Sequence, residues 1–218
     1  MRSLRRSSAL AIVLTYVVAV PALCTAAEQQ FSVIGDFRTE SGDTLRECRV
    51  GYRTYGTLDA DNANIVIFPT WFTGTTADLE RAGLIGPGAL ANTDRFFVIA
   101  IDALANGVSC SPSNSEAFPA ISTTDMVNSQ HRLLTSSLGI THVHAVIGIS
   151  MGGMQTFAWL ANYPSFMDKA VPVDGSPQMT SFDLVQWQTH SDIVRTMRAG
   201  GSSDGEIRRI LSRVGLLS

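Results

Sequence analysis

The sequence predicts an α/β fold, a mostly parallel sheet with helices on both faces, and three observations carry that prediction. Four short apolar runs, at 64–69, 95–102, 142–148 and 169–174, recur along the chain. Segments with helical or loop patterning separate them, and that alternation marks a parallel sheet whose strands are buried on both faces. The third run also leads directly into Gly148-Ile149-Ser150-Met151-Gly152, and a helical pattern leads directly out.

The elements follow in order. Residues 1–27 carry a basic start, Arg2 to Arg6, then the apolar stretch Ala9 to Val20, then Pro21 and the small residues Thr25, Ala26 and Ala27. This is the layout of a secretory signal peptide with removal near Ala26 or Ala27. The apolar stretch is shorter than the about 20 residues that a membrane span needs, so no span is expected after cleavage. The folded domain is then expected over 28–218. Phe31 to Thr39 is short and mixed, and Leu45 to Tyr55 alternates loosely, as an antiparallel strand does. Asn64 to Pro69 is the first buried strand, Thr70 to Thr76 a loop, Leu84 to Gly88 another loop, and Arg95 to Asp102 the second buried strand. Thr123, Thr124 and Asp125 start a helix that Gly139 stops. His142 to Gly148 is the third buried strand, Met151 to Tyr163 a helix ended by Pro164, and Lys169 to Asp174 the fourth buried strand, with Pro172 inside it. Ser181 to Met197 and Asp204 to Leu211 read as helices.

Composition narrows the function. The chain is 45% hydrophobic and 16% charged with a net charge of -3, and no basic cluster interleaved with aromatics occurs in its body, which argues against nucleic acid as a partner. No His/Cys/Asp/Glu group shows metal-ligand spacing, and neither a G-x-G-x-x-G nor a Walker pattern occurs, so no metal and no cofactor is expected. Of three cysteines, Cys24 lies in the signal segment. Cys48 and Cys110 remain, and two separate thiols lodged near strands are the favoured reading over a disulfide.

The chemistry sits in G-x-S-x-G. Between a buried strand and a helix this pattern forms a nucleophile elbow, a turn so tight that residues two positions either side of the serine must lack side chains. Gly148 and Gly152 meet that need, and Ser150 is the candidate nucleophile. An oxyanion hole takes one backbone N–H from the residue after the nucleophile, here Met151, and one from the loop after an earlier strand, here Phe72. For Phe72, plain loop packing stands beside that role.

Gly51 to Leu58, Leu84 to Gly88, Asp94 to Ile99, Gln130 to Leu134 and Ser150 to Gln155 together resemble the homoserine O-acetyltransferase family in order and spacing, over about Gly51 to Trp187. The resemblance implies an α/β-hydrolase fold, a Ser-Asp-His triad, an acyl-enzyme on Ser150 and oxyanion donors at Phe72 and Met151. It also implies an acid and a histidine after further strands, beyond a helical lid. The domain is therefore expected to be incomplete at its C-terminal end, with lid and final strands missing after about 180–218. Two features turn the reading from transferase to ester hydrolase. Gln178 to Gln188 holds no arginine to clamp a substrate carboxylate, and export removes the protein from acetyl-CoA while water remains as acceptor. The expected partner is a small-molecule ester or acyl substrate. Homoserine O-acetyltransferase-like transfer and an inactive fragment stay open as alternatives, as does the oligomeric state. Asp174 and His190 follow Ser150 in the triad order and form the compact alternative, against a bland reading of His190 as a surface residue. His131, His142 and His144 are read as structural or exposed.

Overall fold

The computed structural model describes residues 27–213. The elements are β1 (Gln30–Val33), β2 (Phe37–Arg38), β3 (Thr44–Leu45), β4 (Arg49–Tyr55), β5 (Ile65–Pro69), α1 (Thr76–Arg81), β6 (Ile85–Gly86), β7 (Ala91–Asn92), β8 (Phe97–Ile101), α2 (Thr123–Arg132), β9 (Val143–Ile149), α3 (Met151–Asn162), β10 (Met167–Val173), α4 (Ser181–Ala199) and α5 (Asp204–Arg213). The signal segment proposed from the sequence lies outside the described residues except at its last position.

One six-stranded sheet runs in the order β1-β4-β8-β5-β9-β10. β1 pairs antiparallel with β4, and β4 antiparallel with β8. β8, β5, β9 and β10 then run parallel. Alternate side chains of each central strand serve two cores. Ile65, Ile67, Ile99, Ile101 and Val146 pack on one face with Val127, Leu133 and Leu134 of the α2 region and Trp159 of α3. Val66, Phe68, Val98, Ala100, Ala145 and Ile147 pack on the other with Leu79 of α1, Ile85 and Ala91. Each fully buried aliphatic side chain contributes roughly 1.5–3 kcal/mol of transfer free energy, so both faces of these strands must be covered.

The sequence and the structure differ at four places. Val171 and Val173 of β10 remain 38% and 37% exposed, so the fourth strand is the edge of the sheet rather than a buried strand, a position that accommodates Pro172. Cys48 and Cys110 are bridged by a disulfide, with their Cα atoms 5.7 Å apart, which corrects the expectation of two separate thiols. The bridge forms because β4 brings Arg49 beside Cys110, whose N–H donates to the Arg49 carbonyl at 2.9 Å. The segment 70–83 holds a helix as well as a loop, since Thr75 and Asp78 form a capping box at the start of α1. The α2 helix is capped by Ser122, and its last turn, Leu133–Ser137, is π-helical.

Candidate active site

Ser150 stands between the end of β9 and the first residue of α3, with φ 55° and ψ -120°. This backbone is strained for a residue with a side chain, and such strain persists only where the surroundings impose it. They do so here through glycine. A β-carbon on Gly148 would overlap the carbonyl group of Gly152, one on Gly152 would lie 2.8 Å from the Pro69 carbonyl oxygen, and one on Gly153 would lie 2.9 Å from that of Val173. The Ser150 N–H donates to the Val173 carbonyl at 2.9 Å, which seats the turn against β10. The side chain of Ser150 is exposed at the carboxyl ends of the parallel strands, where open α/β sheets bind their ligands.

Met151 opens α3, so its N–H is one of the helix donors with no intrahelical acceptor. The Phe72 N–H has no backbone acceptor among the described residues. The loop that carries Phe72 is pinned at both ends. At its start, the Thr70 N–H donates to the Ile101 carbonyl at 3.1 Å, and Thr70 Oγ1 accepts from the Ala103 N–H at 3.0 Å. At its far end, the buried Asp102 carboxylate accepts from the Thr76 N–H at 2.9 Å, Thr76 Oγ1 at 3.0 Å, Gln29 Nε2 at 3.0 Å and Asn106 Nδ2 at 2.9 Å. With four donors, this carboxylate offsets its burial and locks the loop to β8. Sequence reading left Asp102 as the end of a strand.

Phe72 and Met151 together line a hollow of about 310 Å³ with Thr73, Leu104, Ala105, Asn106 and Met126. On its other side Phe72 meets a second hollow of about 450 Å³, lined by Trp187, His190, Ser191, Val194, Arg195 and Leu211. The Phe72 and Trp187 rings meet edge to face at 5.0 Å. Thus α4 brings His190 to the same hollow as Phe72, whereas the sequence leaves it between a triad partner and a surface residue. His190 Nδ1 is buried and without a hydrogen-bond partner among the described residues. Asp174 follows directly on Val173, with φ 49°, and is exposed. No hydrogen bond joins Ser150, Asp174 and His190 to one another among the described residues.

The other three histidines lie elsewhere. His131 stacks on Tyr163 with ring centroids 3.9 Å apart, and burial holds its imidazole below the ordinary value. His142 and His144 flank Asp168 on the far ends of β9 and β10, with His142 Nε2 2.9 Å from the Asp168 carboxylate. His142 is the main cause that holds that carboxyl below the usual range. Among the described residues no helix is long and apolar enough to cross a membrane.

A strained serine at a strand–helix turn, above a parallel sheet and at the N-terminal end of a helix, is the arrangement of the α/β hydrolases. A family model for the α/β-hydrolase fold matches residues 60–215, and the chain belongs to that family. It is 34% identical over 168 residues to a probable esterase of Corynebacterium glutamicum, covering 74% of this chain and 48% of the relative. It is 35% identical over 179 residues to a homoserine O-acetyltransferase of Methanococcoides burtonii, covering 71% of this chain and 36% of that protein. Among solved structures it is similar to an acetylester hydrolase from Corynebacterium glutamicum, with a TM-score of 0.76 and 32% identity, over 83% of this chain and 54% of that one. The chain therefore spans between about a third and about half of the length of these relatives.

Proposed function

We propose that the chain carries the nucleophile half of a serine esterase. Ser150 attacks the carbonyl of a small carboxylic ester, the N–H groups of Met151 and Phe72 hold the developing oxyanion, the alcohol leaves, and water then releases the acid from the acyl-enzyme. The observation that carries this reading is the backbone of Ser150, held at φ 55° beside the free end of α3. The name of the similar acetylester hydrolase from Corynebacterium glutamicum supports a small acyl group.

A second reading, acyl transfer to an acceptor that bears a carboxylate, draws on Arg195. This residue lies beyond the arginine-free 178–188 segment, lines the hollow beside Phe72 and is ion-paired with Asp192. Incubation of a full-length relative with p-nitrophenyl acetate, then with homoserine and acetyl-CoA, separates the two. Hydrolysis dominates under the esterase reading, and dominant transfer to homoserine reverses it.

A third reading concerns the 218-residue chain alone. A serine hydroxyl needs a base, and no histidine bonds to Ser150 among the described residues, so this product is proposed to turn over negligibly. Export is proposed from residues 1–27, and the Cys48–Cys110 disulfide supports it, since such bridges persist in oxidising compartments. Intact-mass measurement of exported protein is expected to show a start near Ala27, and a cytosolic product retaining Met1 opposes the proposal.

A further inference from the structure

We infer that Gln155 and Gln130 are positioning residues for the oxyanion hole, through one buried amide group that ties the loop of Phe72 to the helix of Met151. The proposed acyl-transfer reading supplies only the catalytic consequence of this tie, and the tie itself stands on the geometry. Gln155 lies one helical turn after Met151 and is fully buried. Its Nε2 donates to the Thr70 carbonyl at 3.0 Å and to the Met151 carbonyl at 3.3 Å. Thr70 is two residues before Phe72, and Met151 is itself the other donor residue. The two hydrogens of one side-chain amide thus bridge the two segments that supply the hole.

The orientation of that amide is set by a relay. Trp159 Nε1 donates to Gln130 Oε1 at 2.9 Å, and Gln130 Nε2 donates to Gln155 Oε1 at 2.5 Å. An indole N–H only donates, so the Gln130 oxygen must face it. The Gln130 amide must then face Gln155, whose oxygen accepts, which turns the Gln155 amide toward Thr70. All three side chains are buried to within 1% of exposure. Methionine or leucine would fill the same space without the desolvation cost of two amides, so packing alone does not account for this pair. What the amides add is direction. Gly152 completes the arrangement, because the lack of a side chain there lets α3 approach the Pro69 carbonyl closely enough for the Gln155 bond to form.

The test uses the 218-residue protein with Gln155→Met, which removes the bridge, and Gln130→Met, which removes only its orientation. Amide hydrogen exchange of the peptide 68–76 is followed beside thermal unfolding. Exchange there is expected to rise about 10-fold or more over that of β4 and β8 in Gln155→Met, and less in Gln130→Met. A fall in thermal midpoint with unchanged relative exchange in 68–76 makes Gln155 merely structural and overturns the inference. Covalent labelling of Ser150 by a fluorophosphonate is measured in parallel. The maximal labelling rate is expected to fall about 10–100-fold with the half-saturating probe concentration unchanged. Faster exchange with unaltered labelling also overturns the inference, because the tie then has no bearing on the hole. If wild-type Ser150 does not label at all, the acyl-transfer reading fails, and the exchange of 68–76 still decides whether Gln155 positions the loop.

Discussion

Gly148 stands directly against the carbonyl group of Gly152, on the two sides of Ser150, with no room for a β-carbon between them. The elbow exists because both positions are bare. Gly148→Ala is expected to cost about 3 kcal/mol or to prevent folding altogether, since the neighbour is backbone and cannot turn aside. The urea midpoint checks this, at an unchanged slope.

The disulfide joins the start of β4 to the long loop after β8, across 62 residues of sequence. Closing a loop of that size removes about 4 kcal/mol of entropy from the unfolded chain in the chain-entropy picture. Cys48 and Cys110 are both buried, so reductant is expected to act only through opened molecules. Paired replacement by alanine or serine is expected to lower the unfolding free energy by roughly 3–4 kcal/mol, measured in urea against the oxidised protein.

His131 supplies a pH dependence. Burial holds its folded pKa below the ordinary 6.5. As pH falls, the unfolded chain takes up the proton first, so stability present above the unfolded value is lost as pH falls through the folded one. The thermal midpoint is expected to decline between about pH 7 and 5, and to decline less in His131→Phe, which retains the stack on Tyr163 without a titrating group. Asp168, also held low, loses its contribution only below the ordinary carboxylate range, beneath this window, and so does not mask the difference between the two proteins.

The legible parts of the sequence were those where one local pattern has one physical outcome. Ile65–Pro69, Phe97–Ile101 and Val143–Ile149 are continuous apolar runs because both faces are covered, and the structure places strands on all three. The elbow was legible because only glycine fits two positions either side of Ser150. The edge position of β10 was legible only through the family resemblance, which implies further strands beyond the lid and so leaves Met167–Val173 last in the sheet; the run by itself reads as a buried strand. The disulfide depends on a distance between residues 62 apart, which no local pattern contains. The short strands β1 and β2 hold too few residues to show a period. The roles of Asp102, Gln130 and Gln155 were hidden for the same reason as the bridge: each acts through partners distant in sequence.

The central claim is that Ser150 is the nucleophile, and locating a covalent adduct tests it most directly. The 218-residue protein is incubated at length with a fluorophosphonate and digested, and the modified peptide is identified by mass. The account predicts an adduct confined to Ser150, formed slowly, lost in Ser150→Ala and unaffected by His190→Ala. An adduct that forms on another residue and persists in Ser150→Ala contradicts the claim, and rapid labelling that His190→Ala weakens contradicts the view that no base reaches the serine.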